Sequence, residues 1–408
     1  MPELAPPAAG RRGARQPIPS SRLKLEASSA CQLRCPSCPT TTGHADAVIG
    51  RGFLRLAAFA RLVDDNPWIG AIELSNYGEP FLNPDLLAIL RHAYNRNVTI
   101  DILNGANLNH VRAGVLEGLV RYQVAGITCS IDGASAESYR RYRVRGDFAR
   151  VIANIEAINA WKQALGSARP RLLWQFVAFG HNEHEIPLAE AMARRLGMEF
   201  RVKLNWDAAF SPVGDEAAIR EATGTGAATR QEFSEKHGCD YAQDICGDLW
   251  NSPQVNWDGK LLGCCRNFWG DFGGNAFRDG LLAALDHEKL RYAKAMLSGR
   301  AAARRDIPCA TCEIYHHRRA RQDWLRALPP DAALAGASDA AWDRARAHLA
   351  AGRMGDAAAE ARITLQLQPG HAGALALLGQ AAHRAGRTEA AAYYAALAER
   401  ATMAAAAS

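Results

Sequence analysis

Short runs of alternating apolar and polar residues are spaced along the first half of the chain, and longer runs with apolar residues every three or four positions separate them. Alternation is typical of strands, and the longer period is typical of helices. The predicted strands are 23–30, 71–78, 98–105, 125–133, 171–179 and 199–205, and the predicted helices lie near 53–64, 84–96, 107–120, 147–165 and 183–196. Strand and helix thus alternate in six units, the last without an obvious helix. Right-handed crossovers then give a parallel sheet, so we predict an α/β fold with an open, partial (β/α)6 barrel over 22–205.

The pattern is lost between 206 and 245, where GTGAAT and scattered charges predict a linker or lid. A different pattern begins at Cys246. The stretch QVNWDGKLLGCC places two short apolar runs around Asp258 and Gly259, a pair suited to a tight turn, and predicts a hairpin. The sequence CATC at 309–312 closes this part. We therefore predict a small α+β domain over 246–327.

The last section, 338–405, is rich in alanine and helical in pattern, and it contains an internal repeat. HLAAGRMGDAAAEA aligns with AHRAGRTEAAAYYA, so that Gly352 falls on Gly386, 386 − 352 = 34 residues later. This is the tetratricopeptide period, and Pro369 falls where such a repeat ends. We predict an all-α, tetratricopeptide-like segment whose concave surface takes a peptide or protein partner. A plain helical hairpin that caps its neighbour is the alternative.

Composition adds that the chain can form one large core and smaller domains, since it has 408 residues, of which 48% are apolar and 22% charged. No stretch approaches the roughly 20 consecutive apolar residues of a membrane helix, and the first residues lack the apolar core of a signal peptide, so we predict a cytoplasmic protein. The net charge of +6 is modest. Much of it lies in a basic, flexible tail at 1–21, which holds Arg11, Arg12 and Arg15, and at 316–326. No basic motif interleaved with aromatic residues favours nucleic acid as a partner.

Ten cysteines are the residues that point most directly to chemistry. They are Cys31, Cys35, Cys38, Cys129, Cys239, Cys246, Cys264, Cys265, Cys309 and Cys312. In a reducing compartment such spacings indicate metal binding or catalysis rather than disulfides. The first three have the spacing C-x3-C-x2-C in CQLRCPSC, residues 31–38. Three thiolates can hold three irons of a 4Fe-4S cubane and leave the fourth iron open to a small molecule. A structural zinc loop, the alternative, usually shows paired C-x2-C knuckles.

This cysteine loop resembles the signature of the radical S-adenosylmethionine (radical SAM) superfamily, and the resemblance implies a TIM-type partial barrel. It extends to NYGEPFLNPDL, where Gly78 and Glu79 match the family's contacts to the methionine amino group. The resemblance also implies further cofactor contacts at Asn104, Ser130, Asp132 and Arg145. Taken without the cysteine loop, these residues fit equally well as turn formers or helix caps. One position departs from the pattern: many members carry an aromatic residue before the third cysteine, and here it is Ser37.

A second cysteine set resembles the shortened SPASM domain called Twitch, which implies one auxiliary 4Fe-4S cluster with four cysteine ligands. The set is Cys246, Cys264, Cys309 and Cys312. A zinc site is the alternative. Cys265 adjoins Cys264 in the sequence, so that the two are able to exchange roles.

The family resemblance implies reductive cleavage of SAM to a 5'-deoxyadenosyl radical, which abstracts a hydrogen atom from a substrate C–H bond, and a reductase such as flavodoxin or ferredoxin as partner. The single auxiliary cluster favours oxidation (dehydrogenation) of a sugar-like, aminocyclitol-like or peptide substrate. A radical epimerase is an alternative, with Cys239 or Cys265 as hydrogen donor, because Cys129 in a predicted strand fits a small apolar residue. The same cysteines are compatible with a peptide-modifying maturase, and with a non-enzymatic iron-sulfur scaffold or electron carrier.

Overall fold

The centre of the molecule is a sheet of eight strands in the order β6-β5-β4-β3-β2-β1-β7-β8, seen in a computed structural model that describes Ile18, residues 20–325 and residues 337–407. The strands are β1 Arg22–Leu25, β2 Ala71–Glu73, β3 Thr99–Ala106, β4 Gly126–Ser130, β5 Arg171–Ala178, β6 Glu199–Leu204, β7 Gln254–Val255 and β8 Leu261–Gly263. Nearly all of the predicted basic tail, 1–21, lies outside the described residues.

The first six strands pair in parallel in chain order, so the predicted partial barrel is confirmed. The sheet is not closed, because β6 forms one edge and β8 forms the other. In the register between β5 and β6, Gln175 lies beside Arg201 and Val177 beside Lys203. Since neighbours in register point to the same face, alternate residues of β6 face the interior of the barrel.

Helices cover the outer face of this sheet. In the barrel they are α1 Pro39–Thr42, α2 Leu56–Asp64, α3 Leu86–Asn95, α4 Ala113–Arg121, α5 Ala136–Tyr142, α6 Phe148–Ala164 and α7 Ile186–Arg195. Each crossover helix buries one apolar stripe; α2, for example, buries Phe59, Leu62 and Val63. The short α5 was not among the predicted helices. It is started by Ser135, whose hydroxyl accepts a hydrogen bond from the Ser138 backbone N–H at 3.2 Å.

The second cysteine set lies in a segment that continues the barrel sheet. Its predicted hairpin is confirmed, because β7 and β8 pair antiparallel around Gly259, where φ is +89°. β7 also pairs in parallel with β1, so the hairpin extends the barrel at its first strand. The helices of this part are α8 Glu216–Ala222, α9 Arg230–His237, α10 Asp248–Asn251, α11 Leu281–Leu285, α12 Glu288–Leu297 and α13 Glu313–Arg321. Helices α8 and α9 fall in the predicted linker, each with a side-chain cap, from Asp215 and Thr229.

Four helices form the last segment: α14 Ala337–Ala350, α15 Met354–Leu367, α16 Ala372–Arg384 and α17 Thr388–Ala407. Gly352 and Gly386, the aligned residues of the internal repeat, occupy equivalent turns with φ of +74° and +71°. The tetratricopeptide assignment itself stays a prediction. None of the helices in the described ranges combines the length and apolar character needed to cross a membrane.

This last segment packs against the amino ends of the barrel strands. Arg362 Nη1 donates to the Ile69 carbonyl oxygen at 2.9 Å, just before β2, and the Tyr394 hydroxyl donates to the Pro67 carbonyl oxygen at 3.0 Å. The Ile18 backbone N–H, before β1, donates to Gln366 Oε1 at 2.7 Å. The cysteine loop follows β1, so the helical segment lies at the opposite end of the barrel from it.

Candidate functional site

The three cysteines of residues 31–38 lie together at the carboxyl end of the barrel strands, where barrel enzymes place their active sites. Cys35 is buried, and Cys31 and Cys38 are half-buried. Burial raises the pKa of Cys31 to about 12, and the negative charges of Glu79, Cys35 and Cys38 act on it in the same direction. Buried thiols of this kind stay protonated in the absence of metal. Metal binding requires thiolates, so a bound metal displaces the protons.

All ten cysteines are free. Within the part of the chain that the structure describes, no group of three or more His, Cys, Asp or Glu side chains converges tightly enough to hold a single metal ion. Such a site needs its ligands about 2.0–2.3 Å from one point. In a cubane each thiolate binds a different iron atom, so the three sulfur atoms need not converge.

Glu79, which follows β2, places an unpaired carboxylate oxygen beside the cysteine loop. Its Oε2 accepts a hydrogen bond from the Asn107 backbone N–H at 2.7 Å, whereas its buried Oε1 has no partner in the structure. The Glu79 backbone N–H donates to the Ala30 carbonyl oxygen at 2.8 Å, next to Cys31. Burial raises the pKa of Glu79 to about 7, and the backbone N–H groups of Asn107, Phe81 and Leu108 oppose that rise without any of them bonding to Oε1. A cation beside Oε1 would supply the missing partner and favour the ionised carboxylate.

Gly78 lets the chain pass close to the start of this loop. A Cβ atom at Gly78 would lie 2.0 Å from the Ser28 carbonyl oxygen and 2.6 Å from the Ser29 carbonyl carbon. The Gly78 backbone N–H and that of Tyr77 donate to Glu26, at 3.4 and 3.0 Å. The close approach therefore requires glycine and fixes Glu79 against the cysteine loop.

We expect Gly78→Ala to destabilise the protein by about 1–3 kcal/mol, because the added methyl group meets backbone atoms that cannot turn away. Urea unfolding followed by circular dichroism measures the change. Gly355→Ala is the matched control, since a Cβ at Gly355, in α15, meets nothing within 4 Å. Alanine there should leave stability unchanged or raise it slightly. Equal stability of the two variants would contradict the close approach at Gly78.

Asp132 and Arg143 join the end of β4 to the cysteine loop. Arg143 Nε donates to Asp132 Oδ2 at 2.6 Å, and the Val177 backbone N–H donates to Asp132 Oδ1 at 2.8 Å. Arg143 Nη1 lies 3.8 Å from Cys35 Sγ. Burial raises the pKa of Cys35, and the positive charge of Arg143 opposes that rise. The pair thus supports the loop with a charge that favours a thiolate.

Arg145, the arginine predicted from the sequence as a cofactor contact, is exposed, with φ of +70°, and its role stays a prediction. Arg143 was missed because arginines recur through YRRYRVRG, and only the fold decides which of them points inward. Of the other predicted contacts, Asn104 Nδ2 donates to Asn76 Oδ1 at 2.6 Å, so the ends of β3 and β2 meet there. Ser130 is buried at the end of β4. The structure therefore brings Asn104, Ser130 and Asp132 to the edge where the cysteines lie.

Ser37 connects the cysteine loop to the segment after β6. Its hydroxyl donates to Asp207 Oδ2 at 2.5 Å. That segment contributes Phe210, which packs with Tyr142 and Phe179 at ring-centroid distances of 5.5 Å for both pairs. Tyr142 and Phe179 share a buried cluster with Cys35, and Cys31, Cys38 and Phe210 pack against that cluster. Aromatic surface that the sequence lacks at position 37 is thus supplied by three distant segments.

The second cysteine set also comes together in space. Cys246 precedes α10, Cys264 follows β8, and Cys309 and Cys312 lie before α13. Ionisation of the Cys264 thiol is opposed by the neighbouring thiols of Cys265, Cys309 and Cys246, and that of Cys309 by the thiols of Cys246 and Cys312. Burial raises the pKa of Cys246 to about 11 and raises those of Cys264 and Cys309 as well. The four predicted ligands therefore lie in one region, contributed by three separate parts of the chain, and their binding of a cluster stays a prediction.

Cys265 adjoins that group but lies beside Lys24 of β1 and Asp248 of α10. Burial raises its pKa to about 11; the positive charge of Lys24 opposes that rise, and the negative charge of Asp248 adds to it. Those two residues form an ion pair of 2.7 Å between Lys24 Nζ and Asp248 Oδ2. The Tyr77 hydroxyl donates to the Cys265 carbonyl oxygen at 2.7 Å, which fixes this segment next to Gly78. Cys264 thus has Cys309 and Cys246 among its neighbours, whereas the neighbours of Cys265 are Lys24 and Asp248.

The two remaining cysteines lie outside both groups. Cys239, the other predicted hydrogen donor, is half-buried and lines a shallow depression with Ile314 and Arg318 of α13. Cys129 is fully buried within β4, and burial raises its pKa. That position agrees with its interpretation as a small apolar residue.

Comparison with known proteins supports the fold. No protein-family model matches the sequence, and no curated protein matches it either. Among solved structures, SuiB of Streptococcus suis bound to S-adenosylmethionine matches with a TM-score of 0.51 and 14% identity, over 74% of this chain and 72% of SuiB. SuiB alone matches with a TM-score of 0.53 and 14% identity, over 74% and 71% of the chains. SuiB bound to its precursor peptide SuiA matches with a TM-score of 0.51 and 13% identity, over 74% and 71%. The likeness shows a shared fold, which is the one that the sequence resemblance implied.

Proposed function

We propose that this protein is a radical SAM enzyme that cleaves S-adenosylmethionine reductively and oxidises a substrate C–H bond. The observation that carries the proposal is the unpaired, buried Oε1 of Glu79 beside Cys31. A loop that only bound a closed cluster or a structural metal would have no use for a buried anionic oxygen that lacks a partner. An incoming ammonium group has the charge and the donors that this oxygen lacks.

The residues present fit the cofactors that the family resemblance implies. Cys31, Cys35 and Cys38 would hold the open 4Fe-4S cluster, and Glu79 would accept hydrogen bonds from the methionine amino group. When bound, the reduced cluster and SAM together supply an electron to the sulfonium and a 5'-deoxyadenosyl radical that removes a hydrogen atom. Arg143 holds its charge near Cys35 at 3.8 Å and orients the loop through Asp132.

The aromatic cluster of Tyr142, Phe179 and Phe210 is our candidate for the surface that packs against the adenine ring. It lies against the cysteine loop and offers ring faces and edges for stacking. The Ser37 hydroxyl keeps it in place through Asp207. This arrangement would compensate for the absence of an aromatic residue at position 37.

The second cysteine set favours oxidation over a redox-neutral reaction. Removal of one hydrogen atom leaves a substrate radical, and conversion to a closed-shell product requires that a second electron leaves. An auxiliary 4Fe-4S cluster at Cys246, Cys264, Cys309 and Cys312 would accept that electron. SuiB binds a precursor peptide, and this supports a peptide substrate over a sugar-like or aminocyclitol-like one.

Epimerisation is the second candidate, because Cys265 lies beside Lys24 of β1, at the barrel where a substrate would bind. A thiol there is placed to return a hydrogen atom to a substrate radical. Deuterium carried from solvent into the product by the wild type, and lost with Cys265→Ala, would favour epimerisation over oxidation.

The proposal predicts 5'-deoxyadenosine formation by the full chain, reconstituted with iron and sulfide and mixed with SAM and dithionite under anaerobic conditions. Liquid chromatography measures the product. We expect none when dithionite is omitted, since an electron must enter the cluster first. Protein that holds both clusters and yet forms no 5'-deoxyadenosine would support a scaffold or electron carrier instead.

A further inference from the structure

Three basic side chains meet at the β6 edge of the barrel: Arg201 and Lys203 on β6, and Arg230 at the start of α9. The positive charges of Arg230 and Arg201 both lower the pKa of Lys203. Lys203 Nζ donates to Gln175 Oε1 at 3.0 Å, and Arg230 donates to the Leu204 carbonyl oxygen at 3.4 Å. Within the described ranges, none of the three forms an ion pair with a carboxylate.

The nearby carboxylates lie closer to other basic side chains. Glu199, on the same face of β6, pairs with Arg171 at 3.9 Å. The negative charge of Asp132 raises the pKa of Lys203, but Asp132 forms its ion pair with Arg143, at 2.6 Å. The negative charge of Asp240 raises the pKa of Arg230, but Asp240 Oδ2 lies 3.9 Å from His317 Nδ1. The excess positive charge at this edge is therefore not neutralised by the protein.

This excess charge is also costly for the fold. Lys203 and Arg230 are half-buried, and burial lowers the pKa of each. Arg230 lies over the ring of Tyr241, 4.7 Å from its centroid, which offsets only part of the loss of water. Like charges held together at low dielectric repel, unless an anion joins them.

The position of these charges is that of a substrate site. Val177, the register neighbour of Lys203, packs in the same cluster as Cys35 of the cysteine loop. Cys265, which adjoins the second cysteine set, is also near enough for its negative charge to raise the pKa of Lys203. Lys203 therefore lies between the two cysteine groups on the inner face of the sheet, with Arg201 on the same face and Arg230 bonded to the end of β6.

We propose that Arg201, Lys203 and Arg230 form an anion-binding site that holds a carboxylate or phosphate group of the substrate. Only the identification of the ligand as the substrate rests on the proposed function. The guanidinium groups supply paired N–H donors, and the ammonium group supplies a point charge. The site would position an acidic substrate with its reacting carbon facing the cysteine loop.

The test is calorimetric titration of the reconstituted full chain with two probes, inorganic phosphate and glutarate, first without SAM and then in saturating SAM, both without reductant. We expect one saturable site, and the tighter probe identifies the anionic group. Lys203→Gln and Arg201→Gln should each weaken binding roughly 10-fold to 100-fold, the range for a hydrogen bond to a charged group. Lys162→Gln in α6 and Arg195→Gln in α7 are the matched controls and should bind as the wild type does.

Three results would each overturn the site: no saturable binding by the wild type, equal binding by Lys203→Gln and the wild type, or loss of probe binding when SAM is added. The last would assign the charges to the cofactor's carboxylate. Arg201 is exposed, so Arg201→Gln reports on the site even if the variant at half-buried Lys203 fails to fold. Because no reductant is present, the titration does not depend on SAM cleavage. Failure of the anion site and failure of the proposed function are thus separate results.

Discussion

Replacing Cys31, Cys35 and Cys38 together by alanine is expected to abolish 5'-deoxyadenosine formation and to remove one of two clusters. These three thiols belong to the loop that follows β1, and no other cysteine is in that loop. A cluster bound through three protein ligands has no substitute when all are lost. Iron per chain should fall from about eight atoms to about four, because each [4Fe–4S] cluster holds four. Iron and sulfide analysis with electron paramagnetic resonance of the reduced protein measures the loss.

The control for this variant is Cys239→Ala, which removes a half-buried cysteine that belongs to neither group. Its iron content should equal that of the wild type. The fold should survive the triple substitution, because the aromatic cluster and the Asp132 and Arg143 pair remain in place. A triple variant that kept all of its iron would remove the cysteine loop from the cluster assignment.

The second large effect concerns two adjacent residues with opposite expected outcomes. Cys264→Ala should lose the auxiliary cluster, because its thiol lies near those of Cys246 and Cys309. Cys265→Ala should keep both clusters, because its thiol faces Lys24 and Asp248. Removing one ligand of a closed site destabilises the bound cluster, whereas removing a neighbour does not. Iron analysis of the two variants, prepared side by side, gives about four and about eight atoms per chain under this assignment.

This pair provides its own control, since both variants change one thiol of the same buried segment. SAM cleavage should persist in Cys264→Ala, because the three-cysteine loop is intact. If Cys265→Ala were the variant that lost iron, the ligand would be Cys265. If iron content stayed at the wild-type level in both, the second set would not bind a cluster through this segment.

The sequence by itself determined the features that depend on short spacings. Alternation and helical period placed the six barrel strands and most of their helices, because burial of one face imposes these periods on neighbouring residues. The C-x3-C-x2-C spacing and the hairpin at Asp258 and Gly259 are likewise local. The 34-residue repeat correctly aligned Gly352 with Gly386 at equivalent turns.

Only the tertiary structure decided which of several similar neighbours points into the site. It separated Cys264 from Cys265 and Arg143 from Arg145, paired β7 with β1, and gathered the aromatic cluster from three segments. It also revealed the unpaired oxygen of Glu79 and the uncompensated charge around Lys203. A chain's periodicity reports how each residue relates to its own helix or strand. The direction of one thiol or guanidinium group is set by residues tens to hundreds of positions away, and that information appears only when the chain folds.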